Sequence, residues 1–169
     1  PPIDDWSDNE VRRVLVSIIH GSRLPYNDDD TNELRRHWGP LLWKDFLSKS
    51  SDEPSLTFPM LNRLAAYLLR CNAKIADALR ATYAYVFMDE FQDTTHAQWD
   101  LVVSAFKGSS TIVTAVGDDK QRIMLWAGAM PDAFRRFQKE FKATPIRLAR
   151  NYRSVPELVE IQNQIARAM

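Results

Sequence analysis

The stretch Tyr83-Ala84-Tyr85-Val86-Phe87-Met88-Asp89-Glu90-Phe91-Gln92-Asp93-Thr94 constrains the chain most. A run of aromatic and apolar side chains leads directly into an acidic pair. A continuous apolar run is the pattern of a strand buried on both faces, and its polar end marks where a sheet opens to solvent. Ligands of open α/β sheets sit beyond the carboxyl ends of the strands. Asp89 and Glu90 are therefore expected at a ligand edge. One carboxylate there suits a hydrated Mg²⁺ and the next suits activation of water. The competing reading is an acidic strand cap that begins a polar loop.

A second strand is expected at Thr111–Val116, ending in Gly117-Asp118-Asp119-Lys120-Gln121 and continuing to Trp126-Ala127-Gly128-Ala129. A third apolar piece, Ile146-Arg147-Leu148, leads into Asn151-Tyr152-Arg153-Ser154. Three strand ends, each followed by polar chemistry, point to one site. Between the first two, Trp99, Val102, Val103 and Phe106 mark one face of a helix that Gly108 stops. Such a helix returns the chain so that the second strand runs parallel to the first through a right-handed crossover. Asp132 is placed to cap a further helix striped by Phe134, Phe137 and Phe141. Pro156 opens a last one, with Leu158, Ile161 and Ile165 expected inward.

The first 80 residues read as helices. Ser7 and Glu10 form a capping-box pattern, with Trp6 and Val11 spaced for a hydrophobic staple. Val11, Val14, Leu15, Ile18 and Ile19 follow helical periodicity as far as Gly21. Asp28, Asp29 and Asp30 lie in a polar turn that reads as a solvated loop, a cation site being the alternative. Thr31 begins a helix expected to break at Gly39-Pro40, with Pro40 starting the next. Ser48 to Ser55 reads as a linker. Pro59 opens a helix with Leu61, Leu64, Leu68 and Cys71 on one face, and Ile75 and Leu79 mark a shorter one. Trp38 and Trp43 read as core or interface aromatics rather than stacking platforms.

Composition narrows the function. Lys+Arg and Asp+Glu are each 22 in 169 residues, so the net charge is zero. That argues against nucleic-acid binding driven chiefly by bulk charge. Binding of single strands by stacking and a local basic groove remains open. The single cysteine, Cys71, is expected to be a buried small residue and cannot form a disulfide within the chain. That fits a reducing cytoplasm. No signal peptide and no long apolar run is seen, so no membrane partner is expected. The chain begins Pro-Pro without Met and reads as a fragment or a processed piece.

The three polar blocks resemble motifs II, III and IV of superfamily 1 DNA helicases of the UvrD/Rep/PcrA type, in that order and at similar spacing. The family's DEFQDT block, its Walker B segment, stands at Asp89–Thr94. Its GDDDQSIYGWRGA block is similar to Gly117–Ala129, and its NYRS to Asn151–Ser154. The resemblance implies an α/β fold: a partial RecA-like parallel sheet of the P-loop NTPase type with flanking helices, preceded by a helical subdomain. It implies residues 1–80 as the helical insertion (1B-like), 81–145 as part of the first motor domain (1A), and 146–169 as motif IV and the start of the second motor domain.

It also implies ATP and Mg²⁺ as cofactors and single-stranded or partly duplex DNA as partner. Asp89 would hold the metal through its water shell, and Glu90 would polarise the attacking water. Gln92 and Gln121 would sense the γ-phosphate or the water beside it. Arg153 would reach the γ-phosphate with a permanent charge and fixed donors, and Tyr152 would stack on adenine. Trp126 would stack on DNA bases, a core tryptophan being the alternative. Departures cluster in the third block, where Arg122, Met124, Leu125 and Ala127 stand for Ser, Tyr, Gly and Arg; Arg122 could supply a phosphate contact.

No G-x-x-x-x-G-K-[ST] occurs in the chain, so a backbone cradle for triphosphate is not among these residues. The expected reading is an inactive piece of an ATP-dependent helicase that couples hydrolysis to movement on single-stranded DNA. The alternatives are a non-catalytic RecA-like module that binds DNA or a protein, or part of a helicase–nuclease fusion.

Overall fold

A computed structural model describes residues 7–21, 24, 32–48, 56–148 and 150–168. The architecture is mixed and rich in helix. Helices α1 (Asp8–Gly21), α2 (Glu33–Ser48), α3 (Phe58–Cys71) and α4 (Ala73–Thr82) precede strand β1 (Tyr85–Met88). Helix α5 (His96–Phe106), strand β2 (Ile112–Ala115), α6 (Ala133–Phe141) and α7 (Pro156–Ala168) follow. β1 and β2 pair in parallel, Tyr85 opposite Ile112 and Met88 opposite Ala115, with α5 as the connection.

Local sequence explains the helix starts. The Ser7 N–H donates to Glu10 Oε2 at 2.9 Å and the Glu10 N–H to the Ser7 hydroxyl oxygen at 3.4 Å, which closes the capping box. Thr57 caps α3 ahead of Pro59, and Asn72 caps α4 by accepting from the Lys74 and Ile75 amides. Thr95 and Gln98 form a second reciprocal capping box at the start of α5. Asp132 stands at the cap position just before α6, but its carboxylate accepts from Arg135 and Arg136 instead of the helix amides. Those two guanidinium groups hold its carboxyl below the usual carboxylate range.

The core has two parts. Under the sheet, Phe91, Met130, Ala133 and Phe137 are buried, with Met88, Trp99, Val113 and Phe141 packed against them. Phe91 meets Trp99, Phe134 and Phe137 edge to face, with ring centroids 5.3–6.3 Å apart. In the helical layer, α3 lies on α5, and α1 packs on α2, α3 and α5. Asp100 of α5 joins two arginines of α3, Arg70 at 3.0 Å and the buried Arg63 at 3.5 Å. From α4, Arg80 donates to the carbonyls of Ala105 and Ser104, where the end of α5 leaves backbone acceptors unpaired.

Several expectations are corrected. β1 is covered on one face alone: Tyr85 and Phe87 are exposed, whereas Val86 and Met88 are half-buried. Ile146–Leu148 is not a strand, and both Ile146 and Leu148 are exposed, so the sheet has two strands among the described residues. α2 runs unbroken through Pro40, although a proline inside a helix removes one hydrogen bond and crowds the carbonyl four residues back. The buried face of α3 is Met60, Arg63 and Ala66; Leu61, Leu68 and Cys71 are exposed. Arg63 and Arg70 face Asp100, whereas Leu61 and Leu68 lie on the outward side. Leu158, Ile161 and Ile165 of α7 are exposed too. The Trp6 staple, the Asp28–Asp30 turn and most of the linker after Ser48 lie outside the described residues.

The asymmetry of the sheet gives an expected outcome. Phe137→Ala should destabilise the chain by about 3–5 kcal/mol, the usual range for a buried aromatic. Phe87→Ser, on the bare face, should change stability by no more than about 0.5 kcal/mol. Urea unfolding of both variants checks this; equal losses would contradict a one-sided sheet.

Candidate functional site

The parallel pairing brings the carboxyl ends of β1 and β2 to one edge. The pairing continues past the strands: the Val116 N–H donates to the Met88 carbonyl at 2.8 Å, and the Phe91 N–H to the Val116 carbonyl at 2.9 Å. Glu90 makes the bend between them in the left-handed region, at φ 49° and ψ 40°. That conformation is uncommon for a residue with a side chain and costs about 1–3 kcal/mol. Burial of Phe91 and the Asp89 carboxylate, which accepts the Glu90 N–H at 2.9 Å, hold it. Asp89 and Glu90 are both exposed at this edge.

From β2 the chain enters the loop Gly117–Gln121. The Asp118 N–H donates to Gln92 Oε1 at 3.1 Å, and Gln92 Nε2 donates to Glu90 Oε2 at 2.6 Å. Gln92 itself is only 2% exposed. A Cβ on Gly117 would fall 2.1 Å from Gln92 Oε1, so this approach requires glycine. The Asp118 carboxylate accepts from the Lys120 N–H and from Gln121 Nε2, each at 3.0 Å. Asp89, Glu90, Gln92 and Gln121 are thus assembled around two strand ends. Sequence reasoning misses Gly117 and Asp118 as site residues; a Gly-Asp pair directly after an apolar run is the signal that could have found them.

Beyond Gln121 the loop folds on itself. The Arg122 guanidinium donates to the Asp119 carbonyl at 2.8 Å and to the Pro131 carbonyl, closing the segment between them. Trp126 sits in a short 3₁₀ turn, Leu125–Ala127, ended by Gly128 at φ +89°. The indole is 83% exposed, which removes the core reading of this tryptophan. Trp43, by contrast, is buried. A cleft of about 540 Å³ opens beside the same turn, lined by Arg35, Arg63, His96, Asp100, Ala127 and Gly128.

Tyr152 and Arg153 are not brought to this edge by any hydrogen bond or ion pair among the described residues. Both are exposed; Asn151 Oδ1 accepts the Arg153 and Ser154 amides, and the Arg150 guanidinium lies 5.0 Å over the Tyr152 ring.

The donor set at the strand edge is made of hard oxygens. Among the described residues no three His, Cys, Asp or Glu side chains converge to hold a metal ion. The exposed carboxylates of Asp89 and Glu90 are the kind of donor that binds Mg²⁺ together with substrate phosphates and water. No helix of the described residues is long and apolar enough to cross a membrane.

Comparison with known proteins shows the family of the chain. Residues 19–142 match the family described as UvrD/REP helicase N-terminal domain. A probable DNA helicase II homolog of Mycoplasma capricolum is 35% identical over 123 residues, 72% of this chain and 16% of that protein. The ATP-dependent DNA helicase Rep of Escherichia coli is 35% identical over 109 residues, 64% of this chain and 16% of that protein. One subunit of the ATP-dependent helicase/nuclease from Lactococcus lactis is 26% identical over 164 residues, 92% of this chain and 14% of that protein. The chain therefore spans less than one fifth of the length of these relatives. By its sequence, and with the DEFQDT block folded at the end of β1 against Gly117–Asp118, the chain belongs to the UvrD/REP helicase N-terminal domain family.

Proposed function

We propose that this chain is part of an ATP-dependent DNA helicase and carries the hydrolytic edge of a RecA-like motor domain together with a single-strand contact. The observation that carries the reading is one hydrogen-bonded unit. Asp89 and Glu90 end β1, Asp118 and Gln121 follow β2, and the loop after them presents an exposed Trp126. The names of the relatives, among them an ATP-dependent DNA helicase, support the substrate classes.

In this reading ATP bound with Mg²⁺ supplies the scissile phosphoanhydride and much of the charge neutralisation. Asp89 would hold the Mg²⁺ ion with its carboxylate. Glu90 accepts a proton from the attacking water. Gln121, tethered to Asp118, places its amide toward the terminal phosphate. Arg153 and Tyr152 serve the γ-phosphate and the adenine ring once their segment meets this edge. Trp126 stacks on a base, a contact tolerant of sequence, and Arg122 acts first as the brace of that loop. The triphosphate cradle is not among these residues, so turnover belongs to the whole protein. The domain division at residues 80 and 145 is part of the same proposal. The Lactococcus lactis relative, similar over 92% of this chain, favours as a second reading a protein that also carries a nuclease.

Two measurements test the reading in the full-length protein. Glu90→Gln keeps shape and hydrogen bonding but cannot act as a carboxylate base. ATP binding should persist while hydrolysis falls by about 10²–10⁴; Asp89→Asn should instead weaken the dependence on Mg²⁺. Turnover intact in both would reduce the pair to a strand cap.

Trp126→Ala should weaken binding of a labelled single-stranded oligonucleotide by about 1–3 kcal/mol, the worth of one base–aromatic stack. Nucleotide affinity should change far less. Unaltered oligonucleotide affinity in the folded variant would remove Trp126 from the DNA contact.

A further inference from the structure

Gln92 is enclosed at 2% exposure, and its amide is engaged at both ends. The partners fix which way the amide points. A backbone N–H can only donate and an ionised carboxylate can only accept. The Asp118 N–H therefore takes the oxygen, and Glu90 takes the nitrogen. The peptide held in this way belongs to a residue whose own carboxylate orders the next turn, through the Lys120 amide and Gln121 Nε2.

We infer that Gln92 is a positioning residue that sets the orientation of the Glu90 carboxylate and links it to the loop carrying Trp126. The inference rests on the reading of Glu90 as the group that activates water. Few side chains could replace this one. Asparagine is one methylene too short to span both partners. Glutamate would set a second negative charge against Glu90. Methionine fills a similar volume but can neither donate to Glu90 nor serve Asp118 as an amide oxygen does. Gly117 completes the device, since any Cβ there would occupy the place of Gln92 Oε1.

The linkage runs in both directions. A shift of the Gly117–Gln121 segment when DNA meets Trp126 moves the Asp118 amide, and the Gln92 amide must follow or lose a buried hydrogen bond. Glu90 turns with it. Occupancy of the DNA contact is thereby read at the water-activating carboxylate without any contact between Gln92 and either ligand.

The experiment uses the full-length protein with Gln92→Met, Glu90→Gln and the double variant. Affinity for a non-hydrolysable ATP analogue and single-turnover hydrolysis are measured with and without oligodeoxythymidylate. Gln92→Met should bind the analogue within about twofold of wild type, hydrolyse ATP roughly 10–100-fold more slowly and lose its response to the oligonucleotide. In the Glu90→Gln background it should add less than about twofold, because the two act as one unit. If Gln92→Met does not fold, Gly117→Ala, which displaces the amide and leaves Gln92 in the chain, should give the same pattern. Wild-type hydrolysis with its DNA response, or effects that multiply fully with Glu90→Gln, would overturn the inference. A loss confined to analogue affinity would also overturn it, by making Gln92 a nucleotide contact. Intact turnover in Glu90→Gln alone would instead bring down the underlying reading of Glu90, and the inference with it.

Discussion

Parallel pairing of β1 with β2 is the constraint on which the rest depends. Parallel strands need a crossover, and here α5 supplies it. Both carboxyl ends then lie at the same edge, whatever the loops contain. Two further backbone hydrogen bonds, Val116 to Met88 and Phe91 to Val116, extend the pairing into the loops. They fix the first residues after each strand, Asp89 and Glu90 after β1 and Gly117 and Asp118 beyond β2. The left-handed turn at Glu90 becomes tolerable in this setting, because it delivers Phe91 into a ring cluster with Trp99, Phe134 and Phe137. Edge-to-face pairs of this kind add about 0.5–1.5 kcal/mol each beyond burial, enough together to offset the turn.

The helical layer acts on the site through α5. That helix begins two residues after the DEFQD turn, with Thr95 as its cap. Its position is held from behind by Arg63 and Arg70 on Asp100, and at its end by Arg80 on the Ser104 and Ala105 carbonyls. A carboxylate facing two arginines in a partly buried place is a directional tie. Loss of Asp100 would leave two partly buried guanidinium groups without their shared carboxylate, at a cost of about 3–5 kcal/mol. The turn that carries the acid pair thus leads into a helix held at its middle and at its C-terminal end.

Much of the site was legible in the sequence. The apolar run at Tyr83 with its acidic end, the second run at Thr111 and the intervening helix specify a parallel pair, since strand and helix periods differ plainly there. Exposure of Trp126 was legible only through resemblance, because an isolated tryptophan pattern favours a core. The bond that joins Gln92 to Asp118 was not legible, although each residue carries a signal of its own: it links positions 26 residues apart by a backbone amide, and backbone amides leave no mark on composition. The inward face of α3 was misread for a related reason. Apolar periodicity places Leu61 and Leu68 inside, but the buried face is Met60, Arg63 and Ala66, with Arg63 and Arg70 paired to Asp100. Ile146–Leu148 has strand composition, yet a strand needs a neighbour for its hydrogen bonds, and none is offered among the described residues.

The central claim is that the acid pair and the exposed tryptophan belong to one mechanical unit. Stimulation of ATP turnover by single-stranded DNA tests it most directly. In the full-length protein, saturating oligodeoxythymidylate should raise turnover well above its basal rate. With Trp126→Ala the basal rate should remain and the stimulation should vanish, even at oligonucleotide concentrations that restore saturation. Stimulation that survives in Trp126→Ala, or a wild-type protein whose turnover ignores DNA, would contradict the claim.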